Sequence, residues 1–397
     1  MSKSVYMDNN ATTYLKKEVL DAMLPYYTDI YGNASSKFYA VGREAEQALY
    51  KQRETVAKIL GAANVNEIYF TGSGCEADNW AIKGVAFANQ RKGKHIITSK
   101  IEHHAVLGTC EYLEKHGFEV TYLDVDEYGI VSPESVENAI REDTILISIM
   151  TANNEIGTIE PIKEIAEVAK KHKVIFHTDA VQAIGHMPIN VQDLGVDMLS
   201  LSAHKFHGPK GVGVLYIKNG VRIHNLIHGG GQERGKRAAT ENLAGIAGLA
   251  KALEIAVDDL DENIAIMQAK RDRLIKGIKE SIPYCRLKGP EGEDRLCNNV
   301  NFSFQYVEGE SILMMLDMKG VAASSGSACA SGSLDPSHVL LAIGLPHEIA
   351  HGSLRLSVGE DTTDEEVDYI LEVLPPIIQR LRDMSPLYEE IAKGEVN

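Results

Sequence analysis

Short β-rich runs alternate with helical segments from Glu67 to Ile217, and this alternation constrains the fold more than any other feature. The runs are Ile68–Phe70, His95–Thr98, Val120–Leu123, Ile145–Met150, Val174–Phe176, Met198–Leu201 and Val212–Ile217. Such alternation is typical of a parallel or mixed sheet covered by helices on both faces. We therefore expect an α/β protein whose large domain contains a seven-stranded, mostly parallel sheet.

The pattern changes after this region and predicts a smaller α+β domain. The segments that indicate it are an amphipathic stretch over Ile246–Ser281, a strand at Asn299–Phe304, a helix at Glu310–Met318 and a last helix from Thr363. Pro375 and Pro376 should kink or split that last helix, since proline removes a backbone donor. We place the large domain at residues 15–258, and the small domain at residues 1–14 and 259–397.

The charge balance excludes some classes of partner. Lys and Arg total 40 against 56 Asp and Glu, a formal charge of −16. Such a chain is not expected to bind nucleic acid or anionic membranes. The first residues contain no apolar signal segment, and no later apolar run is long enough to span a bilayer. We expect a cytoplasmic protein.

The five cysteines are scattered and never form a C-x-x-C pair. They are Cys75, Cys110, Cys285, Cys297 and Cys329. This spacing argues against both a disulfide framework and a zinc site, so no metal is expected. Any functional cysteine should act alone.

Three strand ends carry residues suited to one ligand. Small residues around Gly74 and Cys75 connect a strand to a helix, a turn that lets backbone N–H groups approach a phosphate. Asp179 follows an apolar strand, where ligands of open sheets bind. Lys205 follows another strand, and a buried lysine can form a Schiff base with an aldehyde. Taken singly, the first two features are compatible with a tight turn and an ordinary N-cap. Together they match the three groups by which a protein can hold pyridoxal 5'-phosphate, namely its phosphate, its pyridine nitrogen and its aldehyde.

Four segments resemble those of cysteine desulfurases of the NifS/IscS type, which are fold-type I pyridoxal-phosphate enzymes of the class-V aminotransferase family. The segments are Asp8–Thr13, Asn153–Gly157, Ser202–Lys205 and Ser324–Ser331. The resemblance covers nearly the whole chain in order. It implies a fold-type I transferase fold.

The resemblance implies a role for each matching residue around the cofactor. Lys205 matches the Schiff-base lysine, and Asp179 matches the aspartate that keeps the pyridine nitrogen protonated. His103 would stack on the ring and shuttle protons. Asn154 and Gln182 would hydrogen-bond the phenolic oxygen.

Other matches concern the phosphate, the neighbouring subunit and the substrate. Ser202 and His204 match phosphate-binding side chains. Thr240 matches a residue contributed by the neighbouring subunit, so the resemblance implies a homodimer. Arg355 matches the arginine that grips the substrate carboxylate, a task suited to its bidentate geometry. Asn33 would assist Arg355.

Cys329 matches the catalytic thiol, on a mobile loop at about residues 322–334. Its neighbours are mostly Ser, Gly and Ala, a composition that packs poorly and suits a loop that travels. The implied reaction converts L-cysteine to L-alanine and leaves a persulfide on Cys329. The sulfur would then pass to an acceptor, such as an iron–sulfur scaffold protein or a thio-cofactor pathway.

Two positions depart from the usual family pattern. Cys75 stands where the family commonly has threonine, and a thiol is a weaker hydrogen-bond donor than a hydroxyl. Asn33 lacks the proline that often follows it, which affects how Asn33 is placed.

Three other functions remain open from the sequence. A selenocysteine lyase would use the same residues on a closely related substrate. An aminotransferase of the same fold would leave Cys329 idle. A docking platform for iron–sulfur scaffold proteins would rely on the C-terminal segment Ser385–Tyr388.

Overall fold

The computed structural model describes residues 4–325, 336–386 and 388. Its strands are β1 (Val5–Tyr6), β2 (Ile68–Thr71), β3 (His95–Ser99), β4 (Glu119–Leu123), β5 (Thr144–Ser148), β6 (Ile175–Asp179), β7 (Met198–Ser202), β8 (Gly213–Ile217), β9 (Cys285–Leu287), β10 (Asn299–Phe304), β11 (Val321–Ala322) and β12 (Ser353–Ser357). Its helices are α1 (Lys17–Met23), α2 (Pro25–Thr28), α3 (Ala40–Leu60), α4 (Gly74–Asn89), α5 (His104–Glu114), α6 (Pro133–Ala139), α7 (Ile162–His172), α8 (Val191–Leu194), α9 (Gln232–Gly235), α10 (Leu243–Asp258), α11 (Leu260–Ser281), α12 (Gly309–Asp317), α13 (His338–Ala342), α14 (His347–His351) and α15 (Asp364–Asp383).

The large sheet confirms the predicted architecture. In the part of the chain that the structure describes, seven strands form it in the order β2-β8-β7-β6-β5-β3-β4. Strands β4, β3, β5, β6 and β7 pair in parallel, whereas β8 is antiparallel to both β7 and β2. Because β8 alone runs in the opposite direction, the carboxyl ends of the other strands meet at one edge of the sheet.

Helices cover both faces of this sheet, as the alternation of apolar residues predicts. Successive residues of a strand point to opposite faces, and in β5 the side chain of Leu146 joins the core under α4 and α5. The next residue, Ile147, joins the core that contains residues of α3, α7 and α10. Both faces of the sheet are therefore buried in hydrophobic cores, which stabilise it.

A smaller three-stranded sheet, in the order β12-β10-β9, has its own hydrophobic core. Apolar residues of α11, α12 and α15 form that core together with the strands, and Val5 and Met7 of the N-terminal segment join it. Separate cores support the division into residues 15–258 and residues 1–14 with 259–397, which stays a prediction.

One local prediction needs correction. Helix α15 continues through Pro375 and Pro376 and is not split there. An internal proline costs about 3 kcal/mol of helix stability, and the apolar face of α15, buried in the core that it shares with α11 and α12, offsets that cost. The amphipathic stretch over Ile246–Ser281 lies in two helices, α10 and α11, which are separated at Asp259 (φ −114°, ψ 29°).

None of the helices in the described part of the chain has both the length and the apolar character that crossing a bilayer requires.

Candidate active site

A cavity of about 320 Å³ lies at the carboxyl edge of the large sheet, where it meets β12 and the N-terminal segment. Ten residues predicted from the sequence line it, and they are Gly74, Cys75, His103, Asn154, Asp179, Gln182, Ser202, His204, Lys205 and Arg355. The structure therefore brings together side chains that are up to 281 positions apart in the chain, from Gly74 to Arg355.

Three predicted residues are not among those lining the cavity. Cys329 lies outside the described residues. Thr240 is exposed and follows the loop that ends at Ala239. Asn33 is also exposed, and its Oδ1 accepts the backbone N–H of Ser35 at 2.9 Å, which closes a local turn.

Lys205 enters the cavity from a short 3-10 helix directly after β7. Its Nζ donates hydrogen bonds to the backbone carbonyls of Asn10, at 2.5 Å, and Ala11, at 2.9 Å. The N-terminal segment therefore forms one wall of the cavity and holds the lysine amino group.

The turn after β2 is built to approach a ligand closely. Ser73 caps α4, since its Oγ accepts the N–H of Glu76 at 3.0 Å. The helix thus begins at Gly74. A Cβ at Gly74 would lie 2.8 Å from Val181 Cγ2, so only glycine fits here without a shift of its neighbour. The positive end of α4 faces the cavity, a position that favours an anion.

Asp179 lies at the end of β6 and is buried. Its Oδ1 accepts the N–H of Val181 at 2.9 Å. Burial raises the pKa of Asp179 to about 6, against the opposing effects of the Val181 N–H and Lys205. A protonated ring nitrogen would supply the positive partner that this carboxylate needs.

Asp78 also lines the cavity, although it was not among the predicted site residues. It is fully buried, and burial followed by the charge of Asp179 raises its pKa well above the usual range. Its Oδ1 lies 3.7 Å from Nε2 of the buried His177. Asp78 lies in the second turn of α4. In the sequence it looks like an ordinary solvent-exposed polar residue of a helix, and only the tertiary structure shows that it is buried beside the cavity.

His103 caps α5, and its Nδ1 accepts the N–H of Ala105 at 3.1 Å. Burial, then the charges of Lys205 and His104, lower the pKa of His103 to about 4. The ring is therefore neutral at neutral pH. Because Nδ1 accepts, the ring proton resides on Nε2, which is the atom left for a ligand.

His204 behaves similarly at the end of β7. Burial and the neighbouring charges of Lys205 and Lys210 lower its pKa to about 4. Its Nδ1 lies 3.0 Å from Thr12 Oγ1. A neutral ring held in this way can offer Nε2–H to an anionic group.

Arg355 lies in β12 and is held from two sides. Its Nη2 donates to Asp8 Oδ1 at 2.8 Å, and its Nη1 donates to the carbonyl of Asn154 at 3.1 Å. Among the described residues its buried Nε has no hydrogen-bond partner. A guanidinium carries five N–H donors, so Arg355 retains several for a carboxylate in the cavity.

Three of the cysteines are poor nucleophiles. Burial raises the pKa of Cys110 and of Cys297 to about 12, and it also raises the pKa of the half-buried Cys285. Only the thiolate is an effective nucleophile. None of the three lines the cavity described above.

Comparison with known proteins decides the family. The model of the aminotransferase class-V family matches residues 5–370. The chain belongs to the class-V aminotransferase family. This class-V aminotransferase is 61% identical over 396 residues to cysteine desulfurase IscS of Clostridium botulinum, covering 100% of this chain and 99% of the relative.

Solved structures agree with this assignment. A NifS-like protein shares a TM-score of 0.89 and 42% identity, over 95% of this chain and 100% of that chain. A structure described as SspA in complex with cysteine shares a TM-score of 0.79 and 38% identity, over 91% of this chain and 100% of that one. The predicted resemblance to NifS/IscS-type cysteine desulfurases is confirmed.

As a class-V aminotransferase, the chain is a pyridoxal-phosphate-dependent enzyme. The cavity fits this cofactor. The N-terminal end of α4 at Gly74 borders the cavity, and the buried Gln182 Oε1 has no hydrogen-bond partner among the described residues. Lys205, Asp179 and the turn at Gly74 lie around one cavity, as an aldehyde, a pyridine nitrogen and a phosphate on one small molecule require.

Proposed function

We propose that the chain is a cysteine desulfurase that converts L-cysteine to L-alanine and transfers the sulfur to Cys329 as a persulfide. One observation carries the proposal most strongly. The cavity combines Lys205 and Asp179, suited to pyridoxal phosphate, with the carboxylate-binding Arg355. The identity with cysteine desulfurase IscS over the whole chain supports the same reaction.

Arg355 orients the substrate in this mechanism. Asp8 and the Asn154 carbonyl fix its guanidinium, and the remaining N–H groups bind the carboxylate of cysteine. Two parallel hydrogen bonds set the direction of the amino acid as well as its affinity. The amino group of the substrate is then directed towards Lys205.

Lys205 transfers a proton in this mechanism, and His103 provides a hydrogen-bond donor. When bound, pyridoxal phosphate supplies an electron sink that stabilises negative charge at the substrate's α-carbon. Lys205 Nζ then moves the α-proton. His103 is neutral and presents Nε2–H, so in this tautomer it donates a hydrogen bond to the bound ligand.

Sulfur transfer falls to Cys329. Its thiolate attacks the substrate sulfur, so an S–S bond forms and the bond between sulfur and the β-carbon breaks. The electron pair of the broken bond stays with the β-carbon, which takes up a proton to give alanine. The overall change is cysteine plus a Cys329 thiol to alanine plus a Cys329 persulfide, and no external oxidant is needed.

A homodimer and a sulfur acceptor complete the proposal. Thr240 is exposed and does not line the cavity of its own chain, which supports a contribution to a neighbouring subunit. A groove of about 720 Å³ next to the C-terminal segment, lined in part by Tyr306, His347 and Met384, offers a place for an acceptor protein such as an iron–sulfur scaffold. The cytoplasmic location remains a prediction from the sequence.

Turnover of L-cysteine tests the proposed function. Alanine and sulfide should form in equal amounts when a thiol reductant is present. Lys205→Ala and Cys329→Ala should each lower both products by at least about a thousandfold, because each removes a group that takes part in bond making.

Cys285→Ala provides the matched control, since Cys285 lies in β9, away from the cavity, and its replacement should leave turnover unchanged. Wild-type sulfide release by Cys329→Ala would contradict the mechanism. The same assay with L-selenocysteine separates a selenocysteine lyase, and a keto-acid product in place of alanine would indicate an aminotransferase.

A further inference from the structure

Asn10 connects the two sides of the cavity. It is 1% exposed and lies in the N-terminal segment between the small sheet and the large one. Its backbone N–H donates to Ser357 Oγ at 2.9 Å. Its side chain spans the gap, since Nδ2 donates to the carbonyl of Asn154 at 3.1 Å and Oδ1 accepts from Asn298 Nδ2 at 2.8 Å.

The carbonyl of the same residue faces the cofactor site. It accepts hydrogen bonds from Lys205 Nζ at 2.5 Å and from Gln182 Nε2 at 2.9 Å. The carbonyl of Ala11 accepts a second bond from Lys205 Nζ, at 2.9 Å. Two adjacent carbonyls of the N-terminal segment therefore hold the lysine amino group.

We propose that Asn10 is a positioning residue for Lys205, and that its anchored side chain fixes the pair of carbonyls on which the lysine amino group rests whenever it is not bonded to the cofactor. The inference rests on the proposed function, in which Lys205 carries pyridoxal phosphate. It adds the N-terminal segment to the elements that position the Lys205 amino group.

The physical argument concerns direction and charge. A backbone carbonyl can rotate with its peptide plane, and the three hydrogen bonds of Asn10 to Ser357, Asn154 and Asn298 restrict that rotation by anchoring the residue on both sides. Hydrogen bonds to an ammonium group favour its charged form. The carbonyl pair therefore sets the position of the amino group and also favours its protonation.

Other charged groups face the same amino group and must be considered with it. The buried Asp179 carboxylate favours the ammonium, and the side chains of His103, His186 and His204 lie close enough to sense its charge. Burial lowers the pKa of all three histidines to about 4, so they are neutral at the pH values of interest. The carbonyls of Asn10 and Ala11 and the Asp179 carboxylate therefore stabilise the ammonium.

Asn9 provides a matched control in the same segment. It is also buried, and its Nδ2 donates to the carbonyl of Ser357 at 2.9 Å. Asn9→Ala therefore removes a comparable buried side-chain hydrogen bond. It leaves the contacts of Asn10 with Asn154 and Asn298 in place.

The experiment follows bond formation between Lys205 and pyridoxal phosphate as a function of pH. The full-length protein, stripped of cofactor, is mixed with pyridoxal phosphate, and the rate is read from absorbance. Borohydride reduction and peptide mass analysis then locate the adduct on Lys205. The amine must lose its proton to react, so the pH at half-maximal rate reports its protonation.

We expect Asn10→Ala to shift this half-maximal pH down by about one unit, because the charged form loses oriented acceptors. The maximal rate should also fall, since the amino group is no longer held in one place. Asn9→Ala should reproduce the wild-type profile. Asn298→Ala, which removes one anchor of Asn10, should shift the profile in the same direction by less, and it serves if Asn10→Ala does not fold.

Three results would overturn the inference. Asn10→Ala could follow the wild-type profile, Asn9→Ala could shift as much as Asn10→Ala, or Asn298→Ala could show no shift when Asn10→Ala is unfolded. Each would leave the proposed function intact. Failure of the wild type to form an adduct on Lys205 would instead overturn the proposed function and the inference with it.

Discussion

Cys75 is one of the two residues predicted to depart from the family pattern, and it lines the cavity beside Gly74. Burial, followed by the charge of Asp78, raises the pKa of its thiol, so the side chain is neutral next to the expected phosphate. A hydroxyl donates a stronger hydrogen bond than a thiol.

Cys75→Thr should therefore tighten cofactor binding. One added hydrogen bond is worth about 0.5–1.5 kcal/mol, which corresponds to roughly two- to tenfold in affinity. Titration with pyridoxal phosphate and retention during dialysis measure the effect. Cys75→Ala adds no donor and should bind no more tightly than wild type. Equal or weaker binding by Cys75→Thr would show that this turn does not use a side-chain donor.

Individual residues also show what the sequence could predict about the site. Lys205 and Asp179 were predictable because both follow apolar strands, and strand ends converge on ligands in open sheets. The contribution of Asn10 was not predictable, because it acts through its backbone carbonyl and contacts residues as distant as Asn298. The amino-acid sequence carries no direct information about a contact that a backbone carbonyl makes.

The segment over residues 229–240 is the element with the most unusual backbone. Glu233 and Arg234 both have positive φ, at 46° and 58°, and buried Glu233 pairs with Arg53 at 2.7 Å. Ala239 has φ 92°, a conformation that L-residues rarely adopt, and it directly precedes Thr240. The side chain of Ala239 is exposed in the single chain.

Ala239→Gly should stabilise the protein. Glycine adopts this φ without a steric penalty, and relief of such strain is worth about 1 kcal/mol. Thermal or urea unfolding measures the gain. Ala238→Gly is the control, because Ala238 is buried and has no positive φ, so this change should destabilise. An unchanged or lower stability of Ala239→Gly would mean that the segment relaxes freely.

Elements as a whole were predicted well where periodicity is strong. The seven strands of the large sheet lie where the sequence placed them, to within about three residues at their ends. The one error, the split expected at Pro375–Pro376, involves a helix in which the local signal and the tertiary packing disagree. The two prolines indicate a break, and the burial of the apolar face of α15 overrides it.

Across the whole molecule, buried carboxyl groups make stability depend on pH. Burial raises the pKa of Glu102 to about 8 and that of Glu155 to about 7. Glu102 Oε1 accepts hydrogen bonds from Ser99 Oγ and from the Met150 N–H. Among the described residues, its buried Oε2 has no partner.

A raised pKa means that the folded state holds a proton that the unfolded chain releases. The stabilisation from Glu102 is therefore complete at pH values below 4.5, the ordinary pKa of a glutamate, and is lost as the pH rises through about 8. Glu102→Gln, which stays neutral, should flatten the fall in unfolding free energy between about pH 5 and about pH 8. Urea unfolding of both proteins across this range measures it, and parallel curves would show that Glu102 does not change its protonation on folding.

The position of the sulfur after one turnover tests the central claim most directly. Wild-type enzyme with bound cofactor is mixed with L-cysteine in the absence of reductant, and peptides are analysed by mass spectrometry while alanine is quantified. The account predicts one added sulfur atom on Cys329 and one alanine per persulfide formed. Alanine formation with no sulfur on Cys329, or with the sulfur on Cys75 inside the cavity, would contradict it.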